Sequence, residues 1–204
     1  MHVINCERLT DASLHAIAES GRVQYLELGD TFTDAGLVAL GRLRLRELTL
    51  FGNDDALTDA GFIAIAKGSA PTLERLGLYL NKFDEDSGWP TEGTALTFVE
   101  HCHNLRSLAL NLPDCTCITP RLFSAIAHGL PQLTELNIKG GAAEDCAPAI
   151  IECINCLRHL TTLKVQGGSL VNEATRHAIE QRQQTSLRIA SVWLPALGEP
   201  WRAL

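Results

Sequence analysis

The pattern leucine, two residues, leucine, one residue, leucine returns seven times along this chain of 204 residues. Its copies are Val23-Leu26-Leu28, Leu45-Leu48-Leu50, Leu73-Leu76-Leu78, Leu105-Leu108-Leu110, Leu133-Leu136-Ile138, Leu160-Leu163-Val165 and Leu187-Ala190-Val192. Their first residues lie 22, 28, 32, 28, 27 and 27 apart. A repeat of this length is one supersecondary unit, too small to bury its own apolar face. Such units stack, and the stacking builds the core. The expected fold is therefore an α/β solenoid with one strand and one helix per repeat.

The strand-to-helix junctions share a wording. Leu9-Thr10-Asp11-Ala12-Ser13-Leu14, Phe32-Thr33-Asp34-Ala35-Gly36-Leu37 and Leu57-Thr58-Asp59-Ala60-Gly61-Phe62 are close copies, and Ile118-Thr119-Pro120 opens a fifth helix. Thr or Asp there predicts an N-cap, whose side-chain oxygen accepts from the first free N–H groups. Pro120 suits the first helical turn, where a missing N–H costs nothing. Leu14, Ile17 and Ala18 have helical spacing. Gly21, Gly41, Gly68 and Gly129 stand where helices end in a left-handed residue. Further helices are expected over 147–157, after Asp145-Cys146, and over 172–181, capped by Asn172. The fourth repeat carries its extra length in Asp84–Gly93, rich in Gly, Pro and acids, which predicts a protruding loop around Trp89.

Strands pack about 4.8 Å apart and helices are about 10 Å wide. Stacking both in phase curves the array, so the expected shape is a short horseshoe with the parallel sheet on its concave face. The first strand starts early: His2-Val3-Ile4-Asn5-Cys6 reads as the second half of a repeat strand aligned on Val3, with no polar cap before it. Either the chain is a fragment there or another chain covers that edge, because an open strand edge invites aggregation. Residues 194–204, after Trp193, form a tail that could fold over the last repeat as a cap.

These repeats resemble leucine-rich repeats of the ribonuclease-inhibitor and cysteine-containing types, over residues 1–193. Asn53 and Asn81 match the turn asparagine of that family, and Cys6 its cysteine variant. Thr31, Pro113, Gly141 and Gly168 depart from it. Cys102 stands where cysteine-type repeats pack a thiol inward. The resemblance implies a protein-binding scaffold working through its concave strand residues. Relatives include ubiquitin-ligase adaptors, which carry an F-box ahead of the repeats, and GTPase regulators with an acidic tail. Others are subunits of large ciliary or mitochondrial assemblies, the kind that an uncapped edge fits best. An F-box has no room before Val3, and Glu199–Leu204 is not an acidic tail.

Side chains alternate along a strand, so residues between the leucines face out of the sheet. The candidate protein-binding residues are Tyr25, Glu27, Glu47, Phe51, Arg75, Tyr79, Lys139, Lys164 and Trp193. Aromatics make up only 5% of the chain, yet both tyrosines fall on this face. Tyrosine and tryptophan on a surface are common interface anchors. Phe51 and Tyr79 would also be neighbours on adjacent strands, free to pack on each other. Charge is graded, from Glu27, Asp30 and Glu47 to Lys139 and Lys164, which would orient a partner of opposite gradient.

Other chemistry finds less support. The net charge of −7 argues against nucleic acid, which wants a basic face. No apolar run reaches the roughly 18–20 residues of a membrane helix. No secretion signal precedes the repeats, so the seven cysteines read as reduced thiols in a cytoplasmic setting. Cys153-Ile154-Asn155-Cys156 with His159 has metal-like spacing, but a structural zinc site usually combines two such pairs. Three apart is also the spacing of one buried helix face. Cys115 and Cys117 have nothing nearby in sequence to activate them. No phosphate loop, nucleophile elbow or carboxylate pair is present. The expectation is a non-enzyme without metal or cofactor.

The leucines should carry the stability. Leu108→Ala is expected to cost about 2–5 kcal/mol, read as a lowered midpoint in urea unfolding.

Overall fold

The computed structural model describes residues 2–6, 9–29, 32–52, 57–80, 92–112, 118–141, 145–167, 172–185 and 191–193. Strands and helices alternate: β1 His2–Cys6, α1 Asp11–Ser20, β2 Tyr25–Leu28, α2 Asp34–Leu40, β3 Glu47–Gly52, α3 Asp59–Ser69, β4 Arg75–Leu80 and α4 Glu92–His101. They continue with β5 Ser107–Leu112, α5 Pro120–Gly129, β6 Glu135–Gly140, α6 Ala147–Cys156, β7 Thr162–Gln166, α7 Glu173–Thr185 and β8 Ser191–Trp193. The strands form one parallel sheet in chain order, β1 to β8. Each helix packs on the helix before and after it. This order is consistent with the array expected from the repeat.

Equal positions of successive repeats lie side by side. Leu48 pairs with Leu76, Leu76 with Leu108, Leu108 with Leu136 and Leu136 with Leu163. Their side chains turn to the helices and are buried, Leu108 at 2% exposure. The helices return Leu14, Leu37, Phe62, Phe98, Phe123 and Ile150 into one continuous core. Ahead of each strand one carbonyl accepts two N–H groups from the next repeat: Gln24 from Arg46 and Glu47, Arg46 from Glu74 and Arg75, Glu74 from Arg106 and Ser107.

The register corrects both ends of the sequence reading. Val3, which Cys6 at the asparagine position would set in the third leucine's row, pairs with Leu26 in the second, and after a slip Cys6 pairs with Leu28. Cys6 thus stands in the row of the third leucine, not at the turn-asparagine position. At the far end Val192 pairs with Leu163, and Trp193 with Lys164. The last motif is shifted by two residues from the leucine spacing, so Trp193 lies beside Lys164 rather than Gln166.

Helix starts follow the sequence closely. The Thr33 hydroxyl accepts from Ala35 N–H, that of Thr58 from Ala60, and that of Thr119 from Leu122. Thr10 also caps a helix, without such a bond. Asn172 Oδ1 accepts from Thr175 N–H at 3.0 Å, and Asp145 Oδ1 from Ala147 N–H at 3.0 Å. The aspartates do something the sequence reading missed. Asp11 accepts from Thr33 N–H at 2.9 Å and from its hydroxyl at 2.7 Å. Asp34 does the same for Thr58. Asp59 accepts from Thr94, and Glu92 from Thr119. Each carboxylate therefore ties its helix start to the next. Burial works against ionisation of Asp11, but donation from Thr33 and Gly36 outweighs it and holds the carboxyl below its usual range.

The helix-end glycines overturn three of four expectations. Gly21 is left-handed, with φ 61°. Gly41 is right-handed, while Gly68 and Gly129 lie inside α3 and α5. What they supply is closeness. A Cβ on Gly68 would stand 1.8 Å from the Gly41 carbonyl oxygen, and one on Gly129 would stand 2.9 Å from Val99 Cγ1. The turn positions Asn53, Asn81, Thr31, Pro113 and Gly168 lie outside the described residues, as do 81–91 with Trp89 and the tail 194–204. Helix α4 takes Glu92 and Gly93 from the end of the expected loop.

A glycine freed from an exposed helix interior usually stabilises when changed to alanine, by about 0.5–1 kcal/mol. Gly68→Ala is expected to do the opposite, losing about 2 kcal/mol or more, because α3 must back away from Gly41. Chemical denaturation gives the sign directly.

Candidate functional site

The sheet face opposite the leucines carries three rows of side chains. The row at the strand starts holds Tyr25, Glu47, Arg75, Ser107, Glu135 and Thr162, aligned by successive pairing. Here polar groups join in short links. Arg75 Nε lies 3.5 Å from Glu47 Oε1. Ser107 donates to Glu135 at 2.9 Å. Arg46, just ahead of β3, meets Glu74 at 2.7 Å. Glu74, and then a hydrogen bond that Arg46 donates to the Tyr25 hydroxyl, hold its guanidinium above the ordinary basicity of arginine. Arg46, Glu74, Asn104 and Arg106 line a shallow depression along this margin. Such exposed pairs fix orientation more than stability.

The middle row runs Glu27, Thr49, Gly77, Ala109, Asn137, Lys164 and Trp193. The third row is where aromatic surface gathers. Phe51 pairs with Tyr79, Tyr79 with Asn111, and Asn111 with Lys139. The Phe51 and Tyr79 rings stack, with centroids 4.9 Å apart and planes 19° from parallel. Tyr79 leans over Gly77, where a Cβ would come within 2.9 Å of its Cε2. The stack stays open to water: Phe51 is 38% exposed, in a chain whose other described phenylalanines are buried. Beside it, Asn111 Oδ1 is buried without a hydrogen-bond partner among the described residues.

The nine candidate residues thus do not form one cluster. Phe51 and Tyr79 come together, and Arg75 joins Glu47. Tyr25 lies at the opposite margin, four residues along the strand and roughly 13 Å from the Phe51 row. Trp193 lies four strands beyond Tyr79, roughly 19 Å away. Lys139 and Lys164 stand on β6 and β7 as expected, and Lys164 is exposed. The charge gradient is broken by Arg75 among the acids and by Glu135 among the bases. Asp30 lies outside the described residues. What the sequence reading missed is the Arg46–Glu74 link and the empty acceptor of Asn111. Only the first had a visible signal, the alternation Arg46, Glu74, Arg106 just after the first leucine of three successive repeats.

The thiols sort by burial. Cys102, Cys146 and Cys153 are buried, while Cys156 is exposed. Cys102 packs inward as the resemblance implied, its thiol 3.6 Å from the Ala66 carbonyl. Burial pushes its pKa up to about 12. Cys153 and Cys156 do not share a buried face, which corrects the packing reading for Cys156. Among the described residues no group of three or more His, Cys, Asp or Glu is placed to hold a metal ion. No described helix is long and apolar enough to cross a membrane. Cys115 and Cys117 lie outside the described residues.

No protein-family model matches the chain, and no curated protein matches it. The likeness to leucine-rich repeats therefore rests on the repeat pattern alone.

Thiol titration of the folded chain at pH 8 should modify Cys156 and spare Cys102, Cys146 and Cys153 until denaturant is added. Because the folded Cys102 thiol is harder to ionise than the unfolded one, its burial stabilises fully below pH 9. That contribution should fall as pH rises from 9 towards 12. A Cys102→Ala chain should show a flatter alkaline loss of stability.

Proposed function

We propose that this chain is a leucine-rich repeat solenoid, curved with its sheet on the concave side, and that it is a non-catalytic protein-binding module. The Phe51–Tyr79 stack carries the reading. A stacked, water-exposed aromatic pair on an open sheet face is costly to leave bare and gives up that cost on docking. Such rigid aromatics lose little entropy when a partner covers them. Glu47, Arg75, Glu135 and Lys164 would form a polar rim around this centre. The role is that of a scaffold or structural subunit of a larger protein assembly.

Tagged full-length chain recovered from its native cells should carry a defined set of partners, identified by mass spectrometry. Phe51→Ala with Tyr79→Ala should weaken that capture by about 2 kcal/mol or more, roughly 30-fold. Partners in fixed stoichiometry would mark a built-in subunit. Substoichiometric ligase or GTPase components would favour a transient regulatory adaptor. Capture unchanged by the double substitution would overturn the stack as the binding centre.

A further inference from the structure

The Phe51 ring has two faces, and Tyr79 uses only one. Tyr79 lies on the β4 side. The second ring face therefore turns towards β2, and Phe51 as a whole is left 38% exposed. Gly29 follows the Leu28–Leu50 pair and so falls in line with Phe51. It offers no side chain to cover the ring, and a Cβ built there would meet nothing within 4 Å. The result is a recess one strand wide, walled on one side by a bare aromatic face.

Glu27 stands two residues before Gly29, on the same face of β2, its register partner being Thr49. Strand spacing and rise put its Cα roughly 8 Å from that of Phe51. Among the described residues Glu27 has neither an ion-pair nor a hydrogen-bond partner. The bases nearest in the sheet are engaged elsewhere, Arg75 with Glu47 and Arg46 with Glu74.

Resting on the protein-binding reading above, we infer that the recess over Gly29, between the outer face of Phe51 and the carboxylate of Glu27, takes an arginine side chain of the partner. A cation over an aromatic face is drawn to the ring's negative centre. A guanidinium also lies flat on the ring, sheds water more readily than an ammonium, and forks two N–H groups onto a carboxylate. An apolar side chain would strip water from Glu27 and return nothing. An acidic or phosphorylated one would meet like charge, in a chain whose net charge is −7.

The full-length chain can be titrated with the peptide acetyl-Gly-Gly-Arg-Gly-Gly-amide at millimolar concentrations, followed by NMR. The neutral control carries citrulline in place of arginine. The expected shifts are confined to Glu27, Gly29 and Phe51, with an initial slope reduced about threefold or more by citrulline, by Glu27→Gln and by Phe51→Leu. Glu19→Gln, a charge removed from α1, should leave the slope unchanged. The amide spectrum of each variant verifies its fold. Equal slopes for arginine and citrulline, scattered shifts, or full response in Glu27→Gln would overturn the site. Loss of partner capture in the Phe51/Tyr79 double variant but not in Glu27→Gln would also remove the arginine and leave the docking face standing.

Discussion

In-register parallel pairing is the constraint on which the rest depends. A strand in this sheet can satisfy its N–H and C=O groups only from the strand before and the strand after. Because Leu76 pairs with both Leu48 and Leu108, each repeat copies the height of its neighbour. A slip by one residue would turn every leucine of a strand to water. Registration therefore fixes the core, and it also fixes the outer rows. Phe51 stacks on Tyr79 because both stand one residue past the third leucine of adjacent repeats. The same rule applied to the strand starts joins Glu47 to Arg75 and Ser107 to Glu135.

Helices have no such ladder, and they need other means to keep step. Two are visible. One is the carboxylate at each helix start that holds the threonine of the next, from Asp11–Thr33 to Glu92–Thr119. The other is glycine at the points of closest approach. Gly36 and Gly61 leave room for the carboxylates of Asp11 and Asp34, since a Cβ there would come within 2.5 and 2.7 Å of them. The recurring Thr-Asp-Ala-Gly is thus a contact between repeats as much as a capping signal. Hydrogen bonds to a charged group are each worth about 1.5–3 kcal/mol net. In an array held only by nearest neighbours, a lost link is felt at one interface and transmitted no further.

What could be read from the sequence was whatever repeats within a single unit. The strand positions, the threonine caps and the buried leucines are local, and period and propensity specify them. What could not be read depends on two units at once. Gly41, Gly68 and Gly129 follow apolar helices, so they look like C-caps. Only the position of the neighbouring helix shows that Gly68 faces the Gly41 carbonyl. Trp193 was placed one row off because α7 is longer than α6, 13 residues against 10, and leucine spacing carries no record of pairing. The surface assignment had the same limit. Alternation gave the right face for Phe51, Tyr79 and Tyr25, but not the distances that separate them.

The free choice in such an array lies in the residues that pairing places but does not use. Leucine rows tolerate little variation, and the carboxylate–threonine links set the helix starts. The outward positions are constrained only by their cross-strand neighbours, and some answer one another, Glu47 with Arg75, Ser107 with Glu135 and Phe51 with Tyr79. Three positions around the stack do not. Gly29 leaves one ring of the stack uncovered, Glu27 lacks a described partner, and Asn111 buries an oxygen unsatisfied on the stack's other side. A bare ring and an orphaned acceptor are each unfavourable in an isolated chain, and a carboxylate stands beside them. Their grouping about Phe51 and Tyr79, with cross-strand pairs along the strand starts, is what a surface shaped for a second protein would retain.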